Sequence, residues 1–134
     1  MIVVDTNIIA YLFLEGSGSQ STKAEQLIFK DPDWAAPILW RSEFRNILAH
    51  YIRKELLSLV QCQEIMREAM TLMSGREYEV ASFEVLRLVA TSTCSAYDCE
   101  FVALAEDLGT PLVTADQKIL SEFGNLTKAL NDYP

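Results

Sequence analysis

Short runs of apolar residues at the two ends of the chain predict strands of a buried sheet. Residues 1–4 are apolar without a polar break, and residues 112–115, which follow Pro111, form a similar short run that contains the β-branched Val113 and Thr114. Unbroken short runs are typical of strands that are covered on both faces, as in a parallel sheet. The segments between them carry apolar residues at helical spacing, so we expect an α/β fold.

The intervening pattern predicts several helices and a few shorter strands. Residues 38–54 predict a long amphipathic helix, and Ser58 with Gln61 forms a capping box that begins the next one. Gly109 is expected to end a helix that begins after Ser95. The other predicted elements are helices at 7–14, from Ser21 or Thr22, from Ser82 and at 117–123, strands at 34–37, 76–81 and 126–130, and a loop at 16–19 near the mouth of a cleft.

Length and composition predict one domain spanning residues 1–134, of which 50% are apolar. We expect a cytoplasmic protein, because the first residues lack the basic region of a signal peptide and no apolar run approaches the ~20 residues that span a bilayer. The three cysteines have no paired spacing, which predicts buried thiols rather than a disulfide frame or a zinc site. The single histidine, His50, is interpreted as a packed or surface residue rather than a ligand.

The chain is acidic, with 11 Lys and Arg against 19 Asp and Glu and a net charge of −8. This balance disfavours non-specific binding of nucleic acid through a broad basic surface. It does not disfavour a metal-dependent nuclease, because bound cations reverse the local sign of an acidic cleft. An acidic surface also suits a basic protein partner.

Two acids follow the two predicted buried strands. Asp5 comes directly after residues 2–4, and Asp116 directly after residues 112–115. Each is either a turn residue or a functional acid, since open α/β sheets bind ligands at the carboxyl ends of their strands. Two carboxylates about 4 Å apart repel by about 4 kcal/mol at an effective dielectric constant near 20. Protonation or a hard divalent cation offsets such repulsion.

Two further acids lie on predicted helices. Glu43 falls on the apolar side of the 38–54 helix, either as an edge residue that reaches water or pairs with Arg41 or Arg45, or as an acid that points into a metal-binding cleft. Asp98 lies three residues after Ser95, where an acid suits a helix N-terminus. The same position places Asp98 above the sheet edge, so a capping role and a functional role are compatible.

Three segments together resemble the PIN domain family, and within it the VapC-type toxins of bacterial toxin–antitoxin pairs. They are D-T-N at residues 5–7, W-R-S-E-F-R-N-I-L at residues 40–48, and S-A-Y-D-C-E-F-V-A-L-A-E-D-L-G-T-P-L-V-T-A-D at residues 95–116. The last segment is the most specific, and the resemblance covers nearly the whole chain. It implies a three-layer α/β/α fold with a central parallel sheet in the order 3-2-1-4-5.

The resemblance also implies a divalent-metal-dependent endoribonuclease that uses Mg²⁺ or Mn²⁺. Its acids match Asp5, Glu43, Asp98 and Asp116, which are expected to bind the metal and carry the catalysis. Asn7 and Thr114 match supporting polar residues. The implied partners are an RNA substrate, a VapB-type antitoxin and a second copy of the chain in a homodimer. The Gly- and Ser-rich stretch at 16–19 departs from the family pattern and affects expected substrate contacts rather than the chemistry.

Other interpretations concern substrate contacts and different classes of protein. Arg41 and Arg45 lie beside Glu43 and are predicted to contact RNA phosphates, unless they belong to a solvated helix face. A catalytically silent binding or regulatory module is the alternative to an enzyme. A phosphatase is disfavoured because Asn7 stands where a second Asp is needed, and a receiver domain is disfavoured because Lys118 follows Asp116 too closely.

Overall fold

The structure is a computed structural model that describes residues 1–14 and 18–133. Within these residues, five parallel strands form one sheet in the order β3-β2-β1-β4-β5, which confirms the predicted order. The strands are β1 (Ile2–Val4), β2 (Trp34–Pro37), β3 (Glu77–Tyr78), β4 (Leu112–Thr114) and β5 (Thr127–Ala129).

Helices connect each strand to the next. They are α1 (Thr6–Phe13), α2 (Ser19–Lys30), α3 (Trp40–Arg53), α4 (Leu59–Met73), α5 (Ser82–Ala90), α6 (Ala96–Leu108) and α7 (Gln117–Glu122), followed by a 3₁₀ turn at Leu130–Asp132. Right-handed crossovers place α1 to α4 on one face of the sheet and α5 to α7 on the other. The predicted three-layer α/β/α architecture is therefore confirmed.

The centre of the sheet is the most apolar part of the core. Val3 and Val4 of β1 and Leu112 and Val113 of β4 are completely buried, because helices cover both faces of these strands. Val3 stands opposite Leu112 in the ladder. In the sheet, β2 lies on one side of β1 and β4 lies on the other side of β1. The strand order therefore reverses between β1 and β4. Such a reversal opens a crevice at the carboxyl ends of the two strands.

Several local signals act as the sequence predicts. Ser58 and Gln61 form a complete capping box at the start of α4. Gly109 ends α6 with a φ of 65°, a left-handed conformation that glycine adopts without steric strain. Cys62, Cys94 and Cys99 are buried free thiols, as predicted. None of the helices within residues 1–14 and 18–133 combines the length and the hydrophobicity needed to cross a membrane.

Other element boundaries differ from the prediction. The strand predicted at residues 76–81 is shortened to β3, and its remaining residues lead into α5. Ala81, not Ser82, is the N-cap of α5, and Gly18 rather than Ser21 or Thr22 precedes α2. The predicted loop at residues 16–19 lies partly outside the described residues. These differences arise because tertiary packing rather than local propensity decides where short elements end.

The capping box at α4 gives a stability prediction. Ser58→Ala removes the side-chain oxygen that accepts the Gln61 N–H at 3.1 Å. We expect a loss of about 1 kcal/mol in the free energy of unfolding, measured by chemical denaturation. The control is Ser121→Ala, at an exposed position inside α7, which should change stability little. Equal stabilities of the two variants would contradict a role for the capping box.

Candidate active site

A cavity of about 260 Å³ opens at the carboxyl ends of β1 and β4, where the strand order reverses. All four acids predicted as catalytic line it, although they come from separate segments of the chain. The described residues that line the cavity include no Lys, Arg or His. They are Asp5, Thr6, Asn7, Glu43, Asn46, Ile47, Asp98, Phe101, Asp116 and Ile119.

Asp5 lies deepest in this cavity and is 7% exposed. It is the N-cap of α1, with Oδ1 accepting the Ile8 N–H at 3.1 Å. Its Oδ2 accepts a hydrogen bond from the hydroxyl of Thr114, the last residue of β4. Burial raises the pKa of Asp5 to about 6, although these two hydrogen bonds oppose the shift and the charges of Asp116 and Glu43 add to it. A substantial fraction of Asp5 is therefore protonated in slightly acidic solution.

Glu43 lies in the first turn of α3 and is half-buried. Its Oε1 accepts a hydrogen bond of 2.7 Å from the hydroxyl of Thr6, the first residue of α1. Burial raises the pKa of Glu43; the Thr6 hydrogen bond opposes this shift and the charge of Asp98 adds to it. Of the two interpretations left open by the sequence, the structure supports an acid that faces the cleft.

Asp116 is the N-cap of α7. Its Oδ1 accepts the N–H groups of Lys118 at 2.9 Å and Ile119 at 3.0 Å, and its own N–H donates to the hydroxyl of Thr114 at 3.0 Å. Thr114 thus contacts two of the four acids, since its hydroxyl also donates to Asp5. This arrangement fixes Asp116 and Asp5 relative to the end of β4.

Asp98 lies in the first turn of α6, where its N–H donates to Oγ of the N-cap Ser95 at 3.1 Å. Burial and the charge of Asp116 raise the pKa of Asp98, while the Ser95 hydroxyl and the Lys118 ammonium lower it. Ser95 rather than Asp98 is thus the N-cap of α6, and the side chain of Asp98 lines the cavity at the end of the sheet.

The N-terminal ends of four helices meet around the cavity. Asp5 and Asp116 cap α1 and α7, and Glu43 and Asp98 lie in the first turns of α3 and α6. Helix N-termini carry partial positive charge from their unsatisfied N–H groups. These termini explain how four acids share one cavity without a basic side chain among the lining residues.

The donor set suits a hard divalent cation, because it consists of carboxylate oxygens whose charge no lining cation neutralises. The carboxylates nevertheless do not converge on one point. Among the described residues, no three His, Cys, Asp or Glu side chains form a group arranged to hold a metal ion. Their hydrogen bonds to Ile8, Thr114, Thr6 and the start of α7 account for this spread.

The supporting residues and the predicted phosphate contacts occupy different places. Asn7 lines the cavity and Thr114 is buried beneath it. Arg41 lies away from the lining residues and forms an ion pair with Glu77, with Nε and Oε2 2.6 Å apart. Arg45 is exposed and donates to Oγ of Ser42 at 3.0 Å. The cavity brings the four acids together but does not include either arginine.

Two residues near the acids have roles that the sequence did not predict. The hydroxyl of Thr6 donates to Glu43, which lies 37 residues farther along the chain. The only feature of the sequence that points to Thr6 is its place in the D-T-N segment. The second is Glu100, which is half-buried. Burial, and to a lesser extent the charge of Glu43, raise the pKa of Glu100. Contacts between distant segments of this kind leave no regular spacing in a sequence.

Several solved structures of known proteins share this fold. Similar solved structures include PAE2754 from Pyrobaculum aerophilum, with a TM-score of 0.75 and 20% identity over 97% of this chain and 90% of that chain. FitAcB from Neisseria gonorrhoeae has a TM-score of 0.72 and 16% identity over 99% and 100%. A toxin–antitoxin complex from Klebsiella pneumoniae has a TM-score of 0.69 and 15% identity over 97% and 98%.

These structures share a fold with this chain, while their low sequence identities carry no argument about activity. No curated protein matches the sequence significantly. The family model of the PIN domain, however, matches residues 2–125, a range that contains β1 to β4 and all four acids of the cavity and ends just before β5. The chain therefore belongs to the PIN domain family.

Proposed function

We propose that this protein is a divalent-metal-dependent endoribonuclease and the toxin of a VapBC-type toxin–antitoxin pair. PIN domains are generally nucleases, which supports the hydrolysis of phosphodiester bonds. The observation that carries the proposal is the gathering of Asp5, Glu43, Asp98 and Asp116, from four separate segments, in one cavity at the crevice between β1 and β4.

In this proposal the four carboxylates hold Mg²⁺ or Mn²⁺. A divalent cation at this place supplies Lewis-acid chemistry, which makes water more acidic and neutralises negative charge on a phosphate. The positive charge of the cation would also favour the ionised form of Asp5.

The side chains around the acids position the substrate and the reacting water. The hydroxyls of Thr6 and Thr114 orient Glu43 and Asp5 through the hydrogen bonds described above. The amides of Asn7 and Asn46 are exposed at the cavity and offer N–H donors to phosphate oxygens. Because no His is among the described residues that line the cavity, the acids are the side chains that can accept a proton from water.

Arg45 is the proposed RNA phosphate contact on α3. It lies two residues after Glu43 and its guanidinium is exposed, with one hydrogen bond to Ser42 on its own helix. Arg41 was predicted to share this role, but its guanidinium forms hydrogen bonds with Glu77 instead of facing the cavity. In this proposal, local contacts of this kind bind the RNA, because the protein as a whole is acidic and offers no broad basic surface.

The proposed partners are a VapB-type antitoxin and a second copy of the chain in a homodimer. One similar structure is a toxin–antitoxin complex from Klebsiella pneumoniae, and another is FitAB bound to a DNA fragment. The antitoxin would enter the cavity with a basic side chain, which the uncompensated carboxylates favour. A cytoplasmic location is part of the same proposal.

A catalytically silent binding or regulatory module is the second candidate. It is favoured by one observation: the described acids form no group of three that is arranged for a metal ion. Cleavage of RNA oligonucleotides with Mg²⁺ or Mn²⁺, and its loss in the presence of a chelator, separates the two candidates. Absence of cleavage under both metals would favour the silent module.

Asp5→Asn tests the catalytic role of the deepest acid. We expect cleavage to fall on the order of 10²-fold or more, because the amide neither holds a cation nor accepts a proton. The fold should persist, since an amide oxygen can still accept the Ile8 N–H. Asp107→Asn, at an exposed acid near the end of α6, is the matched control. Full activity of Asp5→Asn with either metal would refute the role of Asp5.

The raised pKa of Asp5 predicts how stability depends on pH in metal-free protein. The folded state keeps the Asp5 proton up to a pKa of about 6, against 3.8 ordinarily, so folding stability falls as pH rises through this window. The difference corresponds to about 3 kcal/mol at neutral pH. Asp5→Asn should therefore become more stable relative to wild type as pH rises from 4 to 7.

Urea denaturation in a chelator, at several pH values, measures this difference. Asp107→Asn serves again as the control, and its stability should follow that of wild type, since Asp107 is exposed. Addition of Mn²⁺ at pH 7 should stabilise wild type and leave Asp5→Asn nearly unchanged. A constant difference between wild type and Asp5→Asn across the range would show that Asp5 has an ordinary pKa.

Arg45→Ala tests the proposed phosphate contact. We expect the KM for an RNA oligonucleotide to rise several-fold with little change in kcat, and the salt dependence of binding to weaken by about one ion. The control is Arg53→Ala, at an exposed arginine in the last turn of the same helix. Unchanged RNA binding and unchanged salt dependence in Arg45→Ala would remove Arg45 from the substrate site.

A further inference from the structure

Three hydrogen bonds tie Glu77 of β3 to the first turn of α3. Its Oε2 accepts from Nε1 of Trp40 at 2.7 Å and from Nε of Arg41 at 2.6 Å, and its Oε1 accepts from Nη2 of Arg41 at 2.6 Å. The Glu77 side chain is 14% exposed and that of Arg41 is 32% exposed. Glu77 is therefore a largely buried acceptor for two consecutive residues of α3.

This contact is a strong one for a single side chain. The two parallel bonds to Arg41 form a bidentate ion pair, which is stronger and more directional than a neutral hydrogen bond. Arg41, and to a lesser extent Trp40, lower the pKa of Glu77, so that the carboxylate is charged at neutral pH. The indole of Trp40 is completely buried and packs against Phe44 with ring centroids 5.9 Å apart. Movement of the first turn of α3 would break all of these contacts.

Backbone contacts also hold this helix end. The N-cap of α3 is Leu39, which makes no side-chain capping bond. The preceding Ile38 donates its N–H to the carbonyl of Tyr78 at 2.9 Å, which continues the pairing of β2 with β3. Glu77 itself stands opposite Ala36 in that ladder. The short edge strand β3 thus fixes the start of α3 through its backbone and through Glu77.

Glu43 lies in the same first turn of α3, three residues after Trp40. Its carboxylate reaches the hydroxyl of Thr6 at 2.7 Å, so its position depends on how α3 approaches α1. A shift or rotation of the first turn of α3 would carry Glu43 away from the cavity that it shares with Asp5. The geometry needed for a site made of several acids is sensitive to displacements well below 1 Å.

We propose that Glu77 is a positioning residue, which holds the first turn of α3 through Trp40 and Arg41 and thereby directs Glu43 into the acidic cavity. This inference rests on the proposed function and deepens it, since Glu77 acts on one acid of the site without lining it. It also assigns Arg41 a structural role in place of the phosphate contact predicted from the sequence.

The two roles of Arg41 give opposite expectations for Glu77→Gln. If Arg41 positions α3, loss of the Glu77 charge lowers kcat and weakens metal binding, with little change in the KM for RNA. If Arg41 contacts phosphate, loss of that charge frees the guanidinium and lowers the KM. Arg41→Gln separates the roles in the same way, since it should lower kcat in the first case and raise the KM in the second.

The experiment compares Glu77→Gln, Arg41→Gln and the double variant with wild type. Two readouts are used: the Mn²⁺ concentration that gives half of the maximal rise in Tm, and kcat and KM on an RNA oligonucleotide. We expect each single variant to raise the Mn²⁺ midpoint and to lower kcat several-fold, and the double variant to be no worse than either one. Glu79→Gln is the control, because Glu79 is exposed two residues farther on.

Several outcomes would overturn the proposal. Folded Glu77→Gln with a wild-type Mn²⁺ midpoint and kcat removes the positioning role, and so does a lowered KM in Glu77→Gln. Glu77→Asp, which keeps the charge but shortens its reach, is measured in the same way if Glu77→Gln does not fold. Wild-type protein that binds Mn²⁺ without cutting RNA contradicts the proposed nuclease, while the Tm readout still decides the role of Glu77. Wild-type protein that does neither overturns both.

Discussion

Repulsion among four carboxylates in one small cavity is the constraint on which the rest of the structure depends. Each acid stands at the N-terminal end of a helix, where partial positive charge and free N–H groups offset its charge. The offset is incomplete, since burial, together with smaller contributions from the charges of Asp116 and Glu43, still raises the pKa of Asp5 to about 6. A cavity of this kind favours the binding of a positive charge. Without one, the incompletely offset charge of the carboxylates makes the folded state less stable at neutral pH.

The parallel sheet makes this arrangement possible. Its strand order reverses between β1 and β4, so the two acids that follow these strands face the same crevice. Helices α3 and α6 then approach from opposite faces and bring Glu43 and Asp98 to it. The hydroxyls of Thr6 and Thr114 join these parts, because each connects an acid to a distant segment of the chain. The site is thus a product of topology as much as of the acids themselves.

Much of the fold follows from local patterns. The apolar runs at β1 and β4, the capping box at Ser58 and the glycine at 109 are each decided by nearby residues, and the structure confirms them. The order of the strands came from the family resemblance rather than from any pattern. The length of β3 was wrong, since a two-residue edge strand is set by its neighbours. The contacts of Glu77 and Thr6 join residues more than 35 positions apart, which spacing does not reveal.

The protonation state of Asp5 shows directly whether the cavity disfavours an ionised carboxylate until a cation is bound. Carboxyl ¹³C NMR of labelled metal-free protein, titrated from pH 3 to 8, reports this pKa at the residue itself. We expect the titration midpoint of the Asp5 carboxyl group to lie near 6 and to fall when Mg²⁺ is added, because a cation in the cavity favours the ionised carboxylate. A midpoint near the ordinary value of 3.8, unchanged by Mg²⁺, would contradict it.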